Sequence, residues 1–146
     1  MASVVFHGSN SRGIEEFKLR RRFVPGVEGD AAPPAVYASD DPAYAAGHSF
    51  PWTSSDGIDL GFCRDEFQRE QVVLSVPEKL LERLKQPVFL YTLLGERFQL
   101  LPNVSPIGHN YRCLRTVKAI DVVEFDSVTE AVAYYGGKIE VIRDEQ

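Results

Sequence analysis

The chain has 146 residues, of which 44% are hydrophobic and 25% charged, with a formal net charge of −5. This composition is typical of one folded domain with a full hydrophobic core, and the acidic balance argues against a dedicated nucleic-acid coat protein. No apolar run approaches bilayer length and the N-terminus shows no secretory signal, so we expect a cytoplasmic protein without membrane contact. Cys63 and Cys113 are too few for a disulfide framework and lack metal-ligand spacing, so we expect no metal site.

Two short apolar runs in the first third of the chain end in small polar residues. They are Val4-Val5-Phe6-His7-Gly8-Ser9 and Ala35-Val36-Tyr37-Ala38-Ser39. Each run predicts a buried strand that carries a chemically useful side chain near its end. Rigid strand ends are common positions for reactive groups, so these two segments are the first candidates for a functional site.

The residues around the second strand predict a loop before it and a helix after it. The basic run Arg20-Arg21-Arg22 leads into 24–34, a segment rich in proline and glycine that predicts a long loop. Asp41 and Pro42 have the pattern of an N-cap and a first helical position. The predicted helix contains Tyr44 and ends at Gly47.

The rest of the chain predicts mostly strands, so the fold class is α+β in a single domain over residues 1–146. A helix is predicted to begin at Pro77 and to end before Pro87, and a capping box at Ser127 to Glu130 begins a second helix that ends at Gly136-Gly137. Gly95-Glu96 predicts a tight hairpin turn between the strands 88–94 and 97–101. The other predicted strands are 71–76, 111–114, 119–125 and 138–142.

Together, the His-Gly-Ser strand, the Tyr-Ala-Ser strand and the capped helix with its tyrosine resemble the nicotinamide-binding half of the ADP-ribosyltransferase fold. The resemblance is to the diphtheria-toxin and PARP-like branch, the His-Tyr-Glu type. It implies two small packed antiparallel sheets with short flanking helices and NAD as co-substrate. The implied reaction moves a single ADP-ribose unit to an unknown acceptor and releases nicotinamide.

The resemblance also assigns roles within this sequence. Cleavage of the nicotinamide–ribose bond builds oxocarbenium-like charge on the sugar, and the cationic ring favours aromatic faces. In the family the histidine, here His7, contacts the ribose, and two tyrosines, here Tyr37 and Tyr44, bracket the ring. We expect the side chains of His7 and Tyr37 to open into one cleft, with Tyr44 on its wall. The implied cofactor-binding residues are Gly8, Ser9, Arg20, Ser39 and Tyr44.

The third position of the family pattern departs from expectation. A glutamate usually begins a late strand there, whereas the matching segment His109-Asn110-Tyr111-Arg112-Cys113 offers Asn110. An asparagine can hold a hydroxyl group but carries no charge. The implied catalytic set is therefore His7, Tyr37 and Asn110, with mono-transfer or slow chemistry. Asp121 and Glu124 are the alternative carboxylates, on opposite faces of the strand 119–125 by alternation.

Each of these residues also has a structural interpretation, and three classes of function remain open. The first is a mono-ADP-ribosyltransferase acting on a protein, nucleic acid or small molecule, a class that includes toxins and effectors. The second is an NAD- or ADP-ribose-binding module of the same fold without transfer activity. The third is a small α+β interaction domain that uses the loop around Trp52. Arg20-Arg21-Arg22 is either a phosphate grip or a solubilising loop.

Overall fold

A computed structural model describes residues 3–19, 35–101 and 110–143, and over these residues the fold is α+β. The α-helices are α1 (Pro42–Gly47) and α2 (Val128–Tyr134), and short 3-10 turns cover Ser54–Asp56, Glu78–Leu84 and Gly95–Arg97. The strands are β1 (Val4–Ser9), β2 (Glu16–Phe17), β3 (Val36–Ser39), β4 (Asp59–Arg64), β5 (Glu70–Pro77), β6 (Val88–Leu94), β7 (Gln99–Leu100), β8 (Asn110–Cys113), β9 (Val117–Phe125) and β10 (Lys138–Ile142).

The strands form two sheets. The large sheet has seven strands in the order β2-β9-β6-β1-β3-β8-β7, and its neighbouring strands are antiparallel. The small sheet has the order β10-β5-β4, with β4 antiparallel and β10 parallel to β5. Two antiparallel-rich sheets agree with the expectation, but the parallel β10 does not. The chain reaches β10 from β9 of the other sheet through α2, so no hairpin fixes its direction.

The large sheet buries side chains on both faces. One face, here called the helix face, carries Phe6 and Leu90 and packs against a core that also receives α1, α2 and the small sheet. The other, here called the outer face, carries Val5 and Tyr91 and is covered by Phe17. Residues that alternate along β1 and β6 therefore belong to two separate cores. This alternation decides where each candidate side chain points.

Local signals predicted the two α-helices well. Asp41 caps α1 by accepting hydrogen bonds from the amides of Ala43 and Tyr44 at 2.9 and 3.2 Å, and Pro42 is the first helical residue. Ser127 caps α2 by accepting from the amide of Glu130 at 3.1 Å. These caps accept hydrogen bonds from first-turn amides that have no acceptor within the helix. The capping residues therefore predict where each helix begins.

Two expectations for the middle of the chain are wrong. The hairpin between 88–94 and 97–101 does not form, since β6 pairs with β1 and β9 while β7 pairs with β8. Four consecutive residues of β6, Val88 to Tyr91, are buried, which requires neighbours on both sides and favours a central strand. The helix predicted after Pro77 is a 3-10 turn over Glu78–Leu84, and β4 lies in a segment that the sequence pattern left without a strand.

Candidate functional site

The large sheet brings the three implied catalytic positions onto neighbouring strands. His7 is on β1, Tyr37 on β3 and Asn110 on β8, and these strands are adjacent in that order. Ser39 pairs with Phe6 on one side and with Asn110 on the other. Since neighbouring strands are about 4.8 Å apart, the backbones of β1 and β8 are roughly 10 Å from each other. His7 and Asn110 are therefore separated by one strand, which is β3.

The junction between β1 and β3 is held by a side chain as well as by backbone pairing. Over the described residues, the two strands share one registered pair, Phe6 with Ser39. Beyond that pair, the imidazole Nδ1 of His7 is 2.7 Å from the backbone carbonyl oxygen of Tyr37. A carbonyl oxygen can only accept, so Nδ1 carries a proton and donates it to this bond. The histidine thus bridges two strands at the point where their registered pairing stops.

The side chains of His7 and Tyr37 point to opposite faces of the large sheet. The ring of His7 lies 4.7 Å from that of Phe17, on the outer face, with an interplanar angle of 55°. Tyr37 is buried in a cluster with Ala35 and Leu101, separate from the core of the outer face. The expectation that both side chains open into one cleft is therefore wrong, and the opposite orientation of the two side chains counts against a catalytic site of the His-Tyr-Glu type. The register Phe6 with Ser39 puts Gly8, not His7, on the same face as Tyr37.

Gly8 lies directly beneath α1. A Cβ atom built on this residue would be 2.1 Å from the backbone oxygen of Ala45 and 3.0 Å from Cβ of Ser49. Only glycine allows the strand and the helix to approach so closely. Gly8 therefore has a structural reason to be glycine that is independent of any ligand.

Tyr44 belongs to a row of aromatic rings along one edge of α1. Its ring is stacked on Phe62 at 5.4 Å and 8°, and it meets the edge of His48 at 5.0 Å. His48 in turn is stacked on Trp52 at 5.4 Å and 6°. The indole of Trp52 donates a hydrogen bond to the carbonyl of Gly47 at 2.9 Å, and its ring packs against the core. Through these contacts, the row of rings packs α1 against β4 and packs Trp52 against α1.

The two implied serines hold turns. Ser39 is buried and its hydroxyl oxygen accepts from the amide of Asp41 at 3.1 Å, which fixes the entry into α1. The hydroxyl oxygen of Ser9 accepts from the amide of Ser11 at 3.0 Å. Arg20, the implied phosphate grip, lies outside the described residues, as does the loop 24–34.

Neither alternative carboxylate lies beside Asn110. Glu124 is on β9, which β6 separates from β1, and its carboxylate forms an ion pair with Arg12 at 2.9 Å. Glu124 and Asp121 pair with Phe89 and Thr92 of β6, which belong to opposite faces. The alternation predicted from the sequence is confirmed for these two residues. Of these three residues, only Asn110 lies on a strand next to β3.

Tyr111, next to Asn110, is not a general base. Its hydroxyl donates a hydrogen bond to the carboxylate of Asp40 at 3.4 Å. Burial, followed by the negative charge of Asp40, raises the pKa of Tyr111 above its ordinary value of 10.0. The phenol is therefore protonated at neutral pH and acts as a donor.

The comparisons with known proteins add no assignment to this geometry. The chain matches no protein-family model, no curated protein and no solved structure with which it was compared. Within residues 3–19, 35–101 and 110–143, no helix is long and apolar enough to cross a membrane. The same part of the chain contains no group of three or more His, Cys, Asp or Glu side chains arranged to hold a metal ion.

Proposed function

We propose that the chain is an NAD-binding domain of the ADP-ribosyltransferase type, with the nicotinamide end of NAD held at the junction of β1 and β3. The observation that supports this most is the juxtaposition of His7-Gly8 with Tyr37-Ser39 on adjacent strands, joined by the bond from His7 to the Tyr37 carbonyl. Asn110 follows on the next strand. Segments far apart in the sequence thus meet on three neighbouring strands.

A strand junction of this kind suits a flat carboxamide. Where registered pairing between two strands stops, backbone amides and carbonyls are close by to pair with the amide group of nicotinamide. Tyr37 points to the helix face, and α1, which carries Tyr44, packs against β1 and β3. An aromatic ring beside a cationic nicotinamide is attractive through its electron-rich face. We therefore assign the two tyrosines to the nicotinamide end, while Gly8 and Ser39 hold α1 against the strands that carry this site.

In the catalytic form of this proposal, the domain transfers one ADP-ribose unit to an unknown acceptor, which is a protein, a nucleic acid or a small molecule. Two features predict slow chemistry. Asn110 supplies no negative charge to the developing oxocarbenium ion, and a preorganised charge of that kind is worth about 10²–10³-fold in rate. The side chain of His7 lies on the outer face, opposite to the face that carries Tyr37, so it does not face a ligand held by Tyr37.

The same two features favour a second candidate, an NAD-binding module without transfer activity. The third candidate, an interaction domain that uses the loop around Trp52, stays open, although Trp52 is half-buried against the core. Binding of NAD is the property common to the first two candidates, and turnover is the property that separates them.

Calorimetric titration of the purified protein with NAD tests the binding step. Tyr44→Ala removes one aromatic face and should cost on the order of 1–2 kcal/mol of NAD affinity. Tyr134→Ala is the matched control, since this tyrosine is 72% exposed on α2 and should leave the affinity unchanged. A folded wild-type protein that does not bind NAD, or a Tyr44→Ala variant that binds as well as the wild type, would overturn the proposal.

Nicotinamide release by the wild-type protein, with and without cell extract, separates the two candidates. Release that accompanies binding supports the transferase, and saturable binding without release supports the binding module.

A further inference from the structure

A pocket at the β7–β8 edge of the large sheet is lined by two arginines. It has a volume of about 410 Å³ and lies where the Gly95–Arg97 turn and β7 meet the end of β8. Its lining residues are Arg97, Gln99, Cys113, Leu114 and Arg115. A volume of this size falls within the range of small-molecule sites.

The two arginines of this pocket differ from four other arginines in the part of the chain that the structure describes. Arg12, Arg69, Arg83 and Arg143 each form an ion pair with a carboxylate at 2.8–3.1 Å. Within residues 3–19, 35–101 and 110–143, neither Arg97 nor Arg115 forms an ion pair or a side-chain hydrogen bond. Glu96, the chain neighbour of Arg97, is likewise not paired with either of them there. The pocket therefore concentrates positive charge that no described carboxylate neutralises.

A third arginine adds an independent observation. Arg112 stands opposite Gln99 in the β7–β8 ladder and precedes Cys113, and both of these neighbours line the pocket. The Nε and Nη1 atoms of Arg112 are shielded from solvent and have no hydrogen-bond partner. Burying a charged donor without an acceptor costs free energy, and a bound anion would remove that cost.

We propose that Arg97, Arg112 and Arg115, with the Gln99 amide, form a binding site for the phosphate group of a small molecule. A phosphate monoester carries a charge of about −1.5 to −2 and three acceptor oxygens, which match several guanidinium groups better than the single charge of a carboxylate does. The pocket has room for more than the phosphate, and Leu114 and Cys113 give it an apolar wall. This site does not depend on the proposed NAD function.

Titration of the full chain with inorganic phosphate, and separately with ribose 5-phosphate, tests the proposal by calorimetry and thermal unfolding. Both ligands should bind saturably, raise the melting temperature and compete with each other. Arg97→Gln and Arg115→Gln should each weaken the affinity by about 10-fold or more, as expected for a lost charge-assisted hydrogen bond. Arg69→Gln, which removes an exposed arginine on the other sheet's connecting turn, should leave the affinity unchanged.

Arg112→Met gives a readout that a purely structural role would not reproduce. The variant should melt at a higher temperature than the wild type without ligand, because the unpartnered buried charge is gone, and it should lose the stabilisation by phosphate. Absence of saturable phosphate binding to the folded wild type would overturn the proposal. So would binding that survives unchanged in both Arg97→Gln and Arg115→Gln.

Discussion

The close approach of β1 and α1 at Gly8 makes Gly8→Ala a severe substitution. The added Cβ would be 2.1 Å from the backbone oxygen of Ala45 and 2.9 Å from its carbonyl carbon. Because these are backbone atoms, no side-chain rotation relieves the contact. Cβ atoms in proteins essentially never approach a heavy atom within 3.0 Å, so the helix and the strand must separate by most of the 0.9 Å difference between 3.0 and 2.1 Å.

That separation disturbs a packed core. Overpacking typically costs about 1–3 kcal/mol, and alanine regains roughly 0.5–1 kcal/mol over glycine in a strand. Because the added Cβ would contact main-chain atoms, we expect an overpacking cost at the upper end of the range of about 1–3 kcal/mol. After the gain from alanine, the net loss in the free energy of unfolding should be about 2 kcal/mol. Denaturation in urea measures this loss directly, at constant slope if the denatured state is unchanged.

Gly61→Ala is the matched control for this prediction. Gly61 also lies in a strand, but a Cβ there would find only the Asp59 carboxylate, at 3.8 Å. We expect its free energy of unfolding to stay within about 0.5 kcal/mol of the wild type. The packing argument is refuted if Gly8→Ala is as stable as Gly61→Ala.

Two further substitutions test the electrostatic conclusions. The amide of Thr53, followed by Arg83, lowers the pKa of Asp56 below its ordinary value of 3.8, so its ion pair stabilises the fold above that pH and the stabilisation is lost as pH falls through the folded-state pKa. Asp56→Asn should therefore be less stable than the wild type at neutral pH, and in acid unfolding experiments the difference should shrink below pH 3.8 and vanish once the pH is below the folded-state pKa of Asp56. Asn110→Glu should raise NAD turnover, by up to about 10²-fold, in a nicotinamide-release assay if the site is otherwise competent.

Different outcomes of these two experiments would contradict the reasoning about Asp56 or about Asn110. A stability difference for Asp56→Asn that persists unchanged in acid would mean that the carboxylate charge is not what stabilises the turn. Loss of turnover in Glu124→Gln, with Asn110→Ala unaffected, would move the working carboxylate from β8 to β9.

Local signals in the sequence determined the helix ends, whereas long-range pairing determined the sheet. The Asp41-Pro42 pattern predicted α1 to the residue, because capping depends only on neighbours in the chain. The hairpin around Gly95-Glu96 failed because β6 is buried on both faces and takes β1 and β9 as partners. A turn-forming sequence indicates local backbone geometry. It does not indicate how much apolar surface a strand buries against strands that are distant in the sequence.

The candidate site shows the same division. The strand that carries His7 and the strand that carries Tyr37 were both predicted, and they are adjacent. The faces of their side chains were not predicted correctly, since a shift of one residue in register reverses every side chain of a strand. Arg112 was passed over because nothing in the sequence marks an arginine whose guanidinium is buried without a partner. Such a feature depends on cross-strand register and becomes visible only in three dimensions.

A titration of the ¹⁵N-labelled protein with NAD, followed through its backbone amide NMR signals, decides whether NAD binds at the junction of β1 and β3. The signals of 7–9, 37–39 and Asn110 should shift saturably with one common dissociation constant. The signals of β10, at the far edge of the small sheet, should stay in place. Shifts confined to β10 or other distant strands, or no saturable shift in the folded protein, would contradict the proposed site.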